Sequence, residues 1–269
     1  GDGGSGSGMN AWIVRWLRGS RLSGLLLIAL LLIFWEVSAR YFVDTPTWPT
    51  VTNIVQAWIE NIADGTLPGH LLATFWRQML GYGLAVVLGV VFGLAMGYFR
   101  VLYNLFEPLV EVLRPIPGPA YLPVLVLFVG IGHEMKVVLI MVASFFPILL
   151  NTYSGVRSID VVQFDTARTL GLSTLQTIRE LVLPAASPQI LTGMRISLAI
   201  SLILAILGEM IVSNDGLGYF VLLGQRTFKI PEMYAGIFTL AVFGYLLNRV
   251  FLLAEAKLVR WHRETSGRG

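Results

Sequence analysis

The chain has no cysteine in its 269 residues. That excludes a disulfide framework and thiolate metal sites, and it removes redox chemistry as a clue to compartment. Charge is scarce too: Asp, Glu, Lys and Arg make up 13% of residues, against roughly 25% in a typical soluble domain. There is no Gly-x4-Gly-Lys-Ser/Thr phosphate loop, so the chain lacks the usual cradle for ATP. No Gly-x-Ser-x-Gly elbow marks a serine nucleophile, and no helix carries the arginine repeat of a voltage sensor. Histidine occurs at His70, His133 and His262 only. His133-Glu134 is the one pairing with an adjacent carboxylate, and it lacks the second histidine of a zinc-protease helix. No metal ligand, catalytic residue or cofactor of its own is expected.

What the chain does have is apolar surface. Hydrophobic residues make up 55% of it, and mean hydropathy is +0.73. The apolar runs leave no room for a soluble domain. A membrane crossing needs about 20 such residues, and six runs qualify: Leu22–Tyr41, Leu72–Tyr98, Leu105–Val129, Val137–Val156, Gln189–Val212 and Tyr234–Val259. The expected fold is all-α, a polytopic membrane protein with about six transmembrane helices. Residues 1–8 read as an expression linker and Met9 as the native start, leaving one transmembrane domain over 9–269. The first run follows Arg15, Arg18 and Arg21 in the manner of a signal peptide. It lacks a small-x-small cleavage site, so it reads as a retained helix.

The net charge of +3 is distributed as a topology signal and not as a nucleic-acid face. With six spans, one side collects Arg15, Arg18, Arg21, Arg100, Arg157, Arg168, Arg179, Lys257, Arg260, Arg263 and Arg268. The other holds Arg40, Lys136, Arg226 and Lys229. Positive charge stays inside, which places both termini and the loop at about 158–187 in the cytoplasm. Outside, Thr50–Asn61 has apolar residues at helical spacing and reads as an interfacial helix. Gly216-Leu217-Gly218 opens another short helix, Tyr219–Thr227.

That cytoplasmic loop is the most distinctive segment. Asp160 is placed to cap a helix from about Val161 to Leu170, with Gly171 as its left-handed stop. Ser173 or Thr174 is placed to cap a second helix, expected to end before Pro184. Two short capped helices of mixed charge suit a knob that another protein grips. The residues run Asp165-Thr166-Ala167, three more, Gly171, nine more, then Leu181-Val182-Leu183-Pro184. This resembles the loop signature of permease subunits of bacterial ABC importers, Glu-Ala-Ala-x3-Gly-x9-Ile-x-Leu-Pro. It departs from that signature at Asp165, Thr166 and Leu181. The resemblance extends over most of the chain through Arg114-Pro115-Ile116-Pro117, Phe128-Val129-Gly130-Ile131-Gly132, Phe145-Phe146-Pro147-Ile148-Leu149-Leu150-Asn151-Thr152, Gly155-Val156-Arg157 and Gly216-Leu217-Gly218-Tyr219. These look like the branch of importers for nitrate, taurine and alkanesulfonates.

The resemblance implies a type I importer fold in the bacterial inner membrane. It implies a second permease copy, two ATPase subunits that hold ATP and Mg, and an extracytoplasmic solute-binding protein. The coupling segment would be Asp165, Thr166, Ala167, Arg168, Thr169, Leu170 and Gly171. The solute, small and anionic, would pass by alternating access.

Inside the membrane, Gly89, Gly93 and Gly97 form a stripe suited to close helix packing. The small stripe containing Ser197 and Ser201 reads equally as packing or as pathway. Arg114, Pro115 and Pro117 break the third run. Broken backbone at membrane depth is tolerated only against protein or water, and in transporters such breaks mark solute sites. A pair between Arg114 and Glu111 is the rival reading. Phe145, Phe146, Asn151 and Arg195 complete the pathway candidates. Glu209 is a gate, a partner for Arg77, or an interfacial group. An ion-driven secondary transporter, working without an ATPase, would need a titratable relay that scattered Glu107, Glu111 and Glu209 do not supply. An intramembrane enzyme would need a nucleophile or metal motif.

Overall fold

The computed structural model describes residues 21–258 apart from Asp44. The linker at 1–8, Met9, Arg15, Arg18, Arg260, His262, Arg263 and Arg268 lie outside the described residues. Those described form an all-helical bundle. Five helices are long and apolar enough to cross a membrane, or six if the bent pair Arg100–Leu113 and Gly118–Val129 counts as one span. We number them α1 (Arg21–Tyr41), α2 (Val51–Ala63), α3 (Thr66–Tyr98), α4 (Arg100–Leu113), α5 (Leu122–Val129), α6 (His133–Arg157), α7 (Val161–Thr169), α8 (Thr174–Thr177), α9 (Leu183–Ile211), α10 (Leu217–Arg226) and α11 (Ile230–Leu258).

The core is α6 held between α3 and α9. Lipid is as apolar as leucine, so helices associate in it by close contact and not by hydrophobic burial. On α3 the row Gly81, Ala85, Gly89, Gly93, Gly97 recurs every four residues and lies against Ile140, Ile148, Thr152 and Val156 of α6. A Cβ on any of the four glycines would stand 2.5–2.8 Å from one of those side chains. On the other side of α6, Gly193 of α9 meets Asn151 and Pro147, while Gly155 meets Gln189 and Ala186. Ser197 Oγ donates to the Ser144 carbonyl at 2.7 Å. The opposite faces of α1 and α11 remain open, as suits helices at the lipid boundary.

Two boundaries differ from the sequence reading. α3 begins at Thr66, not Leu72, because Asp64 accepts from the Thr66 N–H at 2.9 Å and supports an extra turn. The third run is broken where the prolines predict, with Arg100–Leu113 and Gly118–Val129 meeting at 95°. The helix after Ser173 does not stop before Pro184. It continues from Thr174 to Ile211 through a π-helical turn at Ile178–Val182. Proline lacks an N–H and crowds the carbonyl four residues back, and a wider turn makes that space. Pro188 leaves the Pro184 carbonyl without its usual donor, and Ser187 Oγ fills the place at 2.8 Å.

The α3–α6 seam makes a clear prediction. Gly93→Val should lower stability by about 1–3 kcal/mol through overpacking, since a Cβ there falls 2.6 Å from Thr152 Cβ. Gly83→Val, whose Cβ would have no neighbour within 4 Å, should leave the melting temperature of the detergent-solubilised protein nearly unchanged. Equal melting of the two variants would refute the seam.

Candidate functional site

The loop between α6 and α9 is built as its residues dictate. Asp160 Oδ1 accepts from the Val162 N–H at 2.9 Å and starts α7. At the other end the Leu172 N–H reaches the Ala167 carbonyl at 3.1 Å and the Gly171 N–H reaches Arg168 at 3.0 Å. These are the two bonds of a Schellman stop, and Gly171 takes the required left-handed conformation, with φ +71°. Ser173 and Gln176 then form a reciprocal capping box. Ala167 is buried, and Phe164 packs with Tyr98 to fasten α7 to the bundle. Asp165, Thr166, Arg168, Thr169, Leu170 and Gly171 are exposed, with Arg168 donating to Asp165 at 3.1 Å. The knob also exposes apolar side chains: Val161 by 69%, Val162 by 67%, Leu170 by 70% and Leu175 by 76%.

The second site lies where the third span breaks. α4 carries a polar row on one face, Tyr103, Glu107, Glu111 and Arg114, while Val101, Leu105 and Val112 face outward on the other. The bend opens a cleft of about 510 Å³ between the break, α6 and α9. Arg114, Pro115, Phe146 and Asn151 all line it, along with Tyr121 and Leu204. The Asn151 amide donates to the Pro147 carbonyl at 2.8 Å. Arg114 is half exposed and pairs with Glu111 at 3.1 Å, so both the pathway geometry and the ion pair are present. On the far side of Arg114 a smaller cleft contains Glu107, whose carboxylate accepts a hydrogen bond from Tyr103.

The remaining pathway candidates lie elsewhere. Pro117 caps the 3-10 turn at Gly118–Tyr121 and is not in the wall of the cleft. Phe145 lines a separate apolar cleft beside Phe92 and Phe106. Arg195 sits nearer the start of α9, in a cleft with Asn248 and Glu255. Ser197 and Ser201 are fully buried, and Ser201 accepts from Gln78 at 3.0 Å.

Glu209 belongs to a buried polar cluster at the opposite end of the bundle from α7. Arg77 is 2% exposed and Glu209 1%. One Arg77 Nη donates to Glu209 at 2.9 Å and the other to Asp215 at 2.5 Å, while Nε donates to His133 Nδ1 at 2.9 Å. Glu209 also accepts from Thr74 at 2.8 Å and from the Gly218 N–H at 3.0 Å. His70 accepts from the Gly216 N–H at 3.0 Å, and Lys136 donates to Ser213 at 2.6 Å. Gly216, at φ +99°, leaves no room for a Cβ beside the Glu209 carboxylate. Burial alone would raise the Asp215 carboxyl; the hydrogen bond and charge of Arg77 outweigh it and hold the group below the usual aspartate range. Sequence reasoning reached the Arg77–Glu209 option but missed Asp215, His133 and Lys136. The available signal was a lone arginine inside an otherwise apolar run, which demands partners.

Truncating Arg77 leaves a buried carboxylate without a counter-ion. Arg77→Met should therefore cost about 3–5 kcal/mol, and adding Glu209→Gln should restore part of it in a thermal melt. Because Asp215 is depressed in the fold, its contribution is complete above the ordinary aspartate range and should fade as pH falls below it.

With these sites described, comparison with known proteins places the chain. The model of the family described as binding-protein-dependent transport system inner membrane component matches residues 85–263. The chain belongs to this family. A protein of Bacillus subtilis (strain 168), provisionally named aliphatic sulfonates transport permease protein SsuC, is 34% identical over 247 residues, covering 91% of this chain and 90% of that one. The taurine transport system permease protein TauC of Escherichia coli (strain K12) is 32% identical over 243 residues, 88% of each chain. A solved chain of the MetNI methionine ABC transporter in an inward-facing conformation has a TM-score of 0.61 at 20% identity, covering 72% of this chain and 94% of that one. That last likeness concerns the fold alone. The permease is thus a multi-pass inner-membrane transport subunit, and its relatives fall in the branch that the loop and the Arg114-Pro115-Ile116-Pro117 motif resemble.

Proposed function

We propose that this permease forms half of the membrane pathway of an ATP-driven importer, and that its solute is a small anion of the sulfonate type. Two copies would enclose the pathway, two separate ATPase subunits would hold ATP and Mg, and an extracytoplasmic binding protein would deliver solute. Both termini and α7 would face the cytoplasm. The observation that carries this reading is the knob of α7 and α8: a capped segment that exposes Val161, Val162, Leu170 and Leu175 beside its charges. Apolar residues on a loop between spans have no lipid to cover them, and a partner protein does so. The solute class rests on the names of the relatives and on Arg114 in the wall of the cleft.

The chain's own work is mechanical and electrostatic. Movement of α7 passes through Phe164 to the ends of α3 and α6, and through the continuous helix from Thr174 into α9. Of these, α6 and α9 wall the central cleft. A lever tied to them biases which side of the cleft is open, and a bound nucleotide supplies the differential contact that shifts the two states. Arg114 offers the passing anion a charge without enclosing it.

Two substitutions test the halves of this reading. Gly171→Val places a β-branched residue at positive φ, at a cost of roughly 1 kcal/mol or more. The chain should still insert, but solute-stimulated ATP hydrolysis by the reconstituted complex should fall. Unchanged coupling would refute the role of α7. Arg114→Gln removes a charge-assisted contact worth about 1.5–3 kcal/mol, so solute uptake should fall roughly tenfold or more with basal hydrolysis intact. If Arg114→Gln instead lowers the melting temperature and Glu111→Gln partly restores it, the pair is structural and the pathway role fails.

A further inference from the structure

A second basic cleft, of about 700 Å³, lies under α7, on the side that faces the bundle. Its wall includes Tyr98, Arg100, Arg157, Phe164, Arg168 and Thr177. Three arginines line it, and among the described residues no carboxylate does. Arg168 is tied to Asp165 on its own helix; Arg100 and Arg157 are not part of that pair. The Arg157 guanidinium lies over the rings of Tyr103 and Tyr153, at 5.3 and 5.7 Å from their centroids. Those rings stack on each other at 5.1 Å, so the cation is held in place. The depth is set by chain position: Tyr98 ends α3, Arg100 begins α4 and Arg157 ends α6. The cleft therefore opens where spanning helices leave the hydrocarbon, at the level of lipid headgroups.

We infer that this cleft binds the phosphate of an anionic phospholipid headgroup, with Arg100 and Arg157 as its principal donors. Guanidinium groups match phosphate geometry with paired N–H donors. Basic pockets between transmembrane helices on the cytoplasmic side suit such headgroups, and Tyr98 and Phe164 supply the aromatic edge typical of that depth. The site sits against the root of the coupling knob, so an occupied cleft braces α7 against the helix ends it must move. Placing it in the inner leaflet rests on the orientation proposed above; the headgroup chemistry does not.

The test uses phosphatidylglycerol and phosphatidylcholine as probes, with the purified permease in mixed micelles and bound lipid counted by native mass spectrometry. The unaltered protein should retain phosphatidylglycerol several-fold over phosphatidylcholine. Arg100→Gln combined with Arg157→Gln should bring the ratio to unity. Arg157 also packs on two rings, so Arg100→Gln alone, which disturbs no ring contact, should lower the ratio with an unchanged melting temperature in phosphatidylcholine. Equal retention by unaltered and altered proteins would overturn the site. Stabilisation by inorganic phosphate with no preference for phosphatidylglycerol would overturn the lipid source in favour of a free anion. Loss of ATPase co-purification in Arg100→Gln, with lipid retention unchanged, would instead make the cleft a protein contact. Should a cysteine on α7 react from outside the cell, the leaflet assignment fails while the preference in micelles stands.

Discussion

How closely α3 can approach α6 governs most of this molecule. Lipid supplies no hydrophobic drive for helix pairing, so contact distance decides which helices stay together. The row from Gly81 to Gly97 removes side chains from α3 where Ile140, Ile148, Thr152 and Val156 of α6 must fit. With α6 held there, Gly155 and Gly193 let α9 close on its other side. The root of α7 and the polar cluster around Arg77 are built on these three helices, and the central cleft on α6 and α9 with the break.

The two ends of the unit are held by different physics. At the end away from α7, Arg77 gathers Glu209, Asp215 and His133 and fixes the loop leading into α10 through short, buried hydrogen bonds. Breaking the Arg77–Glu209 pair strands a buried charge, so this end is stiff. At the α7 end the fastening includes Phe164 packed on the cluster of Val156 and Val182, beside the basic cleft. The 95° break between α4 and α5 lies between these ends and lets Arg114 reach the cleft wall without crossing hydrocarbon as part of a straight helix.

Much of this was legible in the residues. Period-four glycines announced the seam, although the row reaches back to Gly81, beyond the Gly89–Gly97 stretch that stands out in the sequence. Asp160, Gly171 and Ser173 gave the caps of the α7 loop because capping is local chemistry. Four of the pathway candidates, Arg114, Pro115, Phe146 and Asn151, share one cleft, while Phe145 and Arg195 line other clefts. Which way a side chain turns on a buried helix depends on neighbours distant in sequence, and spacing alone does not reveal it. Pro184 misled for a related reason: proline signals a stop, but a π-turn absorbed it within one long helix. Asp215 and His133 were invisible as partners of Arg77 because they meet it from 138 and 56 residues away in sequence.

The most direct measurement is the accessibility of α7. The chain has no native cysteine, so Thr166→Cys, on the outward face of α7, gives a single label. A membrane-impermeant maleimide should modify it in inside-out vesicles, remain excluded in intact spheroplasts, and be blocked when the ATPase subunit is bound. Labelling from the outer face, or labelling indifferent to the ATPase, would contradict the assignment of α7 as the cytoplasmic lever.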